Sequence, residues 1–483
     1  MKKHILKNLF KTVAATLAIT MLAACGSTPA SDSTPATAGS TAPAASTAGT
    51  PDNTDAKVIT VWTKDRADSE YMTAAVDEYN KTNTHGYIVE YQIYSDNYPS
   101  AISLAFQNGE APDIMVYQND MFQNWVNAGK YADLTPFMDD EFKEIFGENL
   151  YEGINVIDGK TYYVPTACTV TRLFYNTEIF ERAGIENPPT TLEEMVEDAK
   201  IITEKLSGEG IYGFAANMKS PSSALSRSFD MMAQMSCGIH KGYDFKAGQY
   251  DFTKLADLIE VWQELMSPEC AFPGCESLDI DPLRTQFADG KIGMYISFTH
   301  AEPGVYANQF PMDSSKWAVA DIPTLTGKQV GAETFQAMNG YCLNAEGENL
   351  EDAWIVYREL FADVDLLAGY YSNGLGISLV PDAIAKANPA ECYTANPKLL
   401  IESTDAIWPK TPQEANVDAV VVEGEDMYSV FANLIWNDSS EADIAAALQD
   451  LTDRYNAAVE QGIADGIGTE IVNPSFDPMK PVA

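Results

Sequence analysis

Between Lys57 and Tyr117 the spacing of apolar residues changes period four times, and few architectures accommodate that. Val58-Ile59-Thr60-Val61-Trp62 reads as a strand, after which Tyr71, Met72, Ala75, Val76 and Tyr79 fall at helical spacing. Tyr87 to Ile93 alternates as a strand again, Tyr98 to Asn108 is a second helix, and Pro112 to Tyr117 a third strand. Alternating strands and helices in so short a stretch imply a parallel sheet with right-handed crossovers, because parallel neighbours cannot be joined by a tight turn. In open α/β sheets ligands sit at the carboxyl ends of the strands. The segments after Trp62, Ile93 and Tyr117 are therefore where a site is expected.

A second unit of the same class follows. In "LFYNTEIFERAGIENPPTTLEEMVEDAKIITEKL" a proline pair precedes a helix whose Thr191 and Glu194 stand at capping-box spacing, and Leu192, Met195, Val196, Ala199, Ile202 and Leu206 trace one apolar face. Ile211 to Ala215 reads as a strand. Further helices are expected at Thr253 to Met266, Pro282 to Ala288, Asn349 to Phe361 and Val417 to Trp436. A last one, Glu441 to Glu460, has Ser440 as its cap and Ile444, Leu448, Leu451, Tyr455 and Val459 inward. No internal repeat is visible.

What precedes Lys57 cannot join a core. Lys2, Lys3, Lys7 and Lys11 form a basic leader, and Thr12 to Ala24 is 13 mostly apolar residues, short of the roughly 20 that span a bilayer. Residues 1–24 thus read as a secretory signal. Leu22-Ala23-Ala24-Cys25 resembles the lipobox of bacterial lipoproteins, which implies acylation of Cys25 and anchorage through more than one chain; the alternative is an ordinary cleaved signal. Gly26 to Ala56 holds almost only Ser, Thr, Ala, Pro, Gly and a few acids, too little apolar surface to offset ordering. Residues 25–56 are expected to be a lipidated cysteine and a disordered tether with a reach of roughly 30 Å.

The formal charge is −40, and removing the leader with its four lysines makes it more negative. Such a balance argues against nucleic acid and anionic lipid as partners. Cys168, Cys237, Cys342 and Cys392 are scattered, whereas Cys270 and Cys275 are separated only by Ala-Phe-Pro-Gly, so in an exported chain they either bridge or stay as buried thiols. His4, His85, His240 and His300 show no ligand spacing, so neither a metal nor a cofactor is expected.

The order of short motifs resembles the extracellular solute-binding proteins of bacterial ATP-driven (ABC) importers, in particular the sugar-binding, maltose-binding-protein-like family. The matching pieces are "ITVW", "GEAPDIMVYQNDMFQNWVNAGKYADLTPFMDD", "DGKTYYVPTACTVTRLFYNTEIFERAGIENPPTTLEEM", "FADGKIGMYISF", "WAVADIPTLTGKQV" and a closing helix after Asp438. The resemblance implies an α/β, two-lobed, periplasmic-binding-protein-like fold of type II, with the ligand in a cleft between lobes joined by crossing hinge segments. It places an N-lobe at 57–165 and 300–348 and a C-lobe at 166–299 and 349–483.

A sugar site needs flat aromatic faces and planar polar groups that bridge hydroxyls. Trp62 closes the first strand with Lys64, Asp65 and Arg66 beside it; the alternative is a core tryptophan with solvated charges. Tyr117, Asn119 and Asp120 follow the third strand, where the family often places an aromatic and an acid on the ligand, although Asp120 can instead cap the next helix. Tyr94, Asp96 and Tyr98 follow the second strand. In the first crossing, Thr166 and Tyr163 are candidates, but Tyr162 and Tyr163 must point opposite ways on a strand. Asn217 follows the strand at Ile211 to Ala215. Where many members of the family carry a glycine and then a tryptophan, this chain has Phe298 and His300, either as an aromatic platform or as a hydroxyl partner, and the departure puts inherited specificity in doubt. Asn339-Gly340 permits close backbone approach, and Trp408 either meets the ligand from a proline-bounded loop or packs.

The resulting expectation is a monomeric, lipid-anchored receptor on the outer face of the cytoplasmic membrane of a Gram-positive-type bacterium. It would capture a carbohydrate, an oligosaccharide, by hinge closure and hand it to transmembrane permease subunits. Two alternatives stand beside it: the same role with an anionic solute paired to Lys64 and Arg66, and an anchored carbohydrate-active enzyme. The sequence has no Gly-x-Ser-x-Gly or His-Glu-x-x-His in support of the enzyme.

Overall fold

The strand–helix alternation of the opening segment is realised in the computed structural model, which describes residues 56–94, 97–118 and 121–481. Strands Lys57–Thr63 and Tyr87–Ile93 run parallel, with Lys57 opposite Tyr87 and Thr63 opposite Ile93. Ile114–Val116 lies parallel on the other side. The intervening helix Ser69–Thr82 buries Met72, Val76 and Tyr79 against this sheet, each contributing about 1.5–3 kcal/mol. Tyr341–Leu343, from far along the chain, completes the sheet antiparallel to Ile114–Val116.

A second four-stranded sheet has the order Trp317–Ala320, Thr171–Asn176, Ile292–Phe298, Tyr212–Phe214. Its helix Leu192–Leu206 starts with the expected capping box, in which Glu194 N–H donates to Thr191 Oγ1 at 3.0 Å and Thr191 N–H donates back to the Glu194 carboxylate at 3.1 Å. The helix seats so closely that a Cβ at Gly213 would lie 2.2 Å from the Ala199 carbonyl oxygen. Only glycine lets strand and helix backbones meet there.

Between the two sheets lies a three-stranded antiparallel piece, Gln336–Met338, Ala167–Thr169 and Ile377–Ser378, which carries the chain from one body to the other three times. This corrects the expected boundaries. Trp317–Ala320, expected in the first body as part of 300–348, pairs with Thr171–Asn176 in the second sheet. Residues 349–386, expected in the second body, pack on the first: Ala353, Trp354, Tyr357, Phe361, Tyr370 and Val380 belong to its core. Beyond, Met427, Phe431, Leu448, Leu451 and Tyr455 return to the second core. The reason is general: helical spacing shows that a segment has an apolar face, not which sheet that face covers. The helix expected from Val417 begins only at Met427, where the Asp426 carboxylate accepts from Tyr428 and Ser429 N–H.

Arg172, 1% exposed, ties the crossing to the second body. Its Nη1 donates to Glu333 Oε2 at 2.8 Å, its Nη2 to Asp405 Oδ2 at 2.7 Å, and Thr171 N–H donates to the other Glu333 oxygen at 2.7 Å. Thr171 and Glu333 stand within a few residues of the two longer crossing strands.

Cys270 and Cys275 are free thiols, which corrects the bridged alternative. Cys270 Sγ faces the Val196 carbonyl at 3.8 Å while Cys275 turns to the backbone of Ala216, so the two sulfurs serve different neighbours. Burial pushes both thiols up to about 11. Cys25, Asp96, Asn119 and Asp120 lie outside the described residues.

Candidate functional site

The carboxyl ends of the first sheet's strands carry two aromatic pairs. Trp62 and Tyr94, both partly exposed, pack with ring centroids 4.3 Å apart and planes tilted by 38°. Tyr117 stacks face to face on Tyr163, 4.4 Å apart and 6° from parallel, and Lys64 Nζ lies 5.7 Å from the Tyr117 ring centre. The Tyr117 hydroxyl donates to the Ala337 carbonyl at 3.1 Å, and its N–H to the Gly340 carbonyl at 2.9 Å. A Cβ at Gly340 would come within 2.4 Å of the Tyr163 ring and 2.9 Å of the Tyr117 ring. The glycine of the Asn339-Gly340 pair is therefore what admits the stacked tyrosines. Of the Tyr162–Tyr163 alternatives, Tyr163 is the ring that joins this stack.

Two carboxylates follow Trp62 in the chain. Asp65 is partly exposed, its N–H donates to Thr63 Oγ1 at 3.2 Å, and burial raises its pKa against the opposing effect of Lys64. Asp68, 3% exposed, accepts from the Tyr370 hydroxyl at 3.2 Å. Burial, then repulsion from Asp65, pushes it up to about 7. Asn339, at a left-handed φ of 55°, shares a hydrogen bond with the same Tyr370 hydroxyl.

The second sheet contributes from the end of Ile292–Phe298. The Arg227 guanidinium sits 5.1 Å over the Phe298 ring, a cation–π arrangement. Its Nε donates to the Ser223 carbonyl at 2.9 Å and its Nη2 to Ser223 Oγ at 3.0 Å, while Asn217 Nδ2 reaches the same hydroxyl at 3.4 Å. His300 packs 5.9 Å from Phe298 and its backbone N–H donates to Thr169 Oγ1 at 3.2 Å. Burial, with Arg284 and Arg227 nearby, drives the imidazole down to about 3, so it is neutral. Thr169 and Ala337 belong to adjacent crossing strands; His300 and Tyr117 thus flank the same hinge piece from the two bodies.

Several buried polar atoms around this piece have no hydrogen-bond partner: Asp68 Oδ1, Gln118 Oε1, Thr166 Oγ1 and His300 Nδ1. Buried polar groups are nearly always paired, so these orphans leave unspent hydrogen-bonding capacity beside partly exposed aromatic rings. Surface cavities of about 680 Å³, beside Phe272 and Trp436, and about 500 Å³, beside Asn433 and Arg454, lie on the second body away from the hinge.

The structure thus places Trp62, Asp65, Tyr117, Asn217, Phe298 and His300 at or just after strand ends of the two sheets, and Thr166 and Asn339 at the ends of the crossing strands. Arg66 is exposed. Trp408 is a correction: it is 4% exposed, its indole N–H donates to the Ala332 carbonyl at 2.8 Å, and Phe476 packs 5.5 Å from it, so it is a core residue of the second body. Sequence reasoning missed Asp68 and Arg227. A cap-position aspartate and an arginine at the end of a short helix carry no local mark of burial; only the strand-end placement of "SPSSALSR" after Tyr212–Phe214 pointed there. Among the described residues no cluster of three or more His, Cys, Asp or Glu is placed to hold a metal ion, and no helix is long and apolar enough to cross a membrane.

Residues 63–354 match the family described as bacterial extracellular solute-binding protein. A protein of Brucella abortus named as a binding protein is 28% identical over 255 residues, 52% of this chain and 59% of its own length. The diacetylchitobiose binding protein DasA of Streptomyces coelicolor is 29% identical over 162 residues, 32% of this chain and 36% of its own. The chain thus spans less than two thirds of these curated relatives. Among solved structures, an ABC transporter solute-binding protein from Thermotoga lettingae bound with α-D-tagatose superposes with a TM-score of 0.67 at 18% identity, covering 83% of this chain and all of that one. The fold is therefore the two-lobed type II binding-protein fold.

Proposed function

Because this chain belongs to the bacterial extracellular solute-binding proteins, we propose that it is the receptor of an ABC importer and that its cargo is a carbohydrate, an oligosaccharide. It works by binding rather than catalysis. The observation that carries this reading is the pairing of Trp62 with Tyr94 and Tyr117 with Tyr163 at the strand ends, beside orphaned polar atoms at the hinge. Flat rings suit the C–H faces of pyranoses, and the free donors and acceptors suit their hydroxyls. DasA and the tagatose-bound protein are named for sugars, which supports the same chemistry here.

Each lobe offers half of the site. Closure about the three crossing strands joins the halves and removes the ligand from water, and the closed form is what the permease subunits receive. A lipid on Cys25 and the tether at 26–56 hold the receptor, as a monomer, at the outer face of the cytoplasmic membrane. A thermal-shift screen against mono- and oligosaccharides, peptides and polyamines tests the cargo, since a ligand above saturation raises stability by RT ln(1 + [L]/Kd). A shift with a saccharide, weakened at least tenfold in Kd by Trp62→Ala or Asp65→Ala, supports the reading. Stabilisation only by a peptide or polyamine overturns it.

A further inference from the structure

Seven arginines occur in the sequence, and five of them, Arg172, Arg182, Arg284, Arg358 and Arg454, hold a carboxylate within ion-pair distance. Arg66 is exposed on the surface. Arg227 is the exception: partly buried, it has no carboxylate at ion-pair distance among the described residues, and Glu302 is its main opposite charge. Its protein partners are the Ser223 carbonyl and hydroxyl and the Ser297 hydroxyl, the last at a long 3.5 Å, with the Phe298 ring beneath. A guanidinium has five N–H donors, so one N–H on each terminal nitrogen is left over. Two parallel donors of that kind match a carboxylate.

The nearest buried acid is already committed. Glu302, wholly buried, takes a two-oxygen grip from Arg284 at 2.9–3.1 Å and accepts from Ser297 Oγ. Of the acids near this pair, Asp281 and Asp279 lie at the exposed rim, held by Arg284 and Lys219. The buried part therefore contains two guanidiniums and one carboxylate. His300 feels the excess, since Arg284 and Arg227 both oppose its protonation. A desolvated cation that must share its one buried counter-charge, Glu302, with Arg284 is costly to keep, and its cost is recovered where a bound partner supplies the opposite charge.

We infer that Arg227, seated on Phe298 at the hinge-facing end of the second sheet, is the receptor for a carboxylate on the cargo, so that the saccharide is an acidic one containing a uronate unit. This rests on the carbohydrate reading above and narrows it. The carboxylate docks on the two free Nη hydrogens while the aromatic pairs of the first lobe hold the sugar faces. The acidic surface of the chain does not prevent this, because recognition at a buried guanidinium is governed by the local pair rather than by screened surface charge.

Matched probes test it on the mature protein by isothermal titration and thermal shift: trigalacturonate against its fully methyl-esterified form, and xylotriose with and without a 4-O-methylglucuronate branch. The expected result is at least tenfold tighter binding of the charged member of a pair, an advantage that is largely kept between 50 and 500 mM NaCl and disappears in Arg227→Gln. The comparison of charged and neutral members on the unmodified protein carries the test if that variant fails to fold. Equal binding of charged and neutral members overturns the inference and leaves the carbohydrate reading standing. No shift with any saccharide overturns both.

Discussion

Replacing Asp68 with asparagine should raise stability at neutral and alkaline pH and remove part of its pH dependence. The carboxyl is 3% exposed and is pushed from 3.8 to about 7 by burial and by Asp65. In the folded state it therefore keeps a proton that the unfolded chain has already lost. The folded form binds more protons between these two values, so stability falls as pH rises through that window. The contribution is complete below the unfolded pKa and is lost above the folded one. Integrated over the shift, ionising Asp68 costs about 4 kcal/mol by pH 8. Asparagine cannot ionise and still offers an oxygen to the Tyr370 hydroxyl. Its amide hydrogens would occupy a position with no partner, a penalty of about 1–3 kcal/mol that does not vary with pH. The stability difference between variant and wild type should thus widen in favour of asparagine by about 3 kcal/mol from pH 4.5 to pH 8, read from urea unfolding of the ligand-free protein. A difference that stays constant across that range would refute the buried-acid account, whatever its absolute size.

Gly340→Ala drives a methyl into the Tyr163 and Tyr117 rings; a loss of about 1–3 kcal/mol in urea unfolding is expected, together with weaker saccharide binding, and neither would change if the rings simply moved aside. Arg172→Met leaves Glu333 and Asp405 buried without their cation and should cost about 3–5 kcal/mol, whereas the double change Arg172→Met with Glu333→Gln should recover part of that loss. Cys25→Ser should release the protein from the membrane fraction into the medium, measured by fractionation of expressing cells; retention at the membrane would count against lipidation at this residue.

The opening sheet was legible because its evidence is local. Alternation at Tyr87 to Ile93 and helical spacing at Met72, Val76 and Tyr79 are printed in consecutive residues, as is the Thr191–Glu194 capping box. Trp62 and Tyr117 were legible as strand-end residues for a related reason: once strands are placed, their carboxyl ends are placed too. At Trp408, in a proline-bounded loop, ligand contact and packing were both open from the sequence, and packing holds: the ring is enclosed by Phe476 and its N–H is satisfied by Ala332.

By itself the sequence determined two α/β bodies, their order, the helix caps and the aromatic residues at the strand ends, because periodicity and capping are properties of neighbours along the chain. Only the tertiary structure decided that 349–386 packs on the first sheet, that Cys270 and Cys275 face different partners, and that Asp68 and Arg227 are desolvated. Those outcomes depend on contacts such as Tyr71 to the Leu366 carbonyl and Tyr370 to Asp68, which join residues about three hundred positions apart. An aspartate or arginine has the same local signature in water or in a core; burial and the choice of counter-charge are set by whatever the fold brings against it.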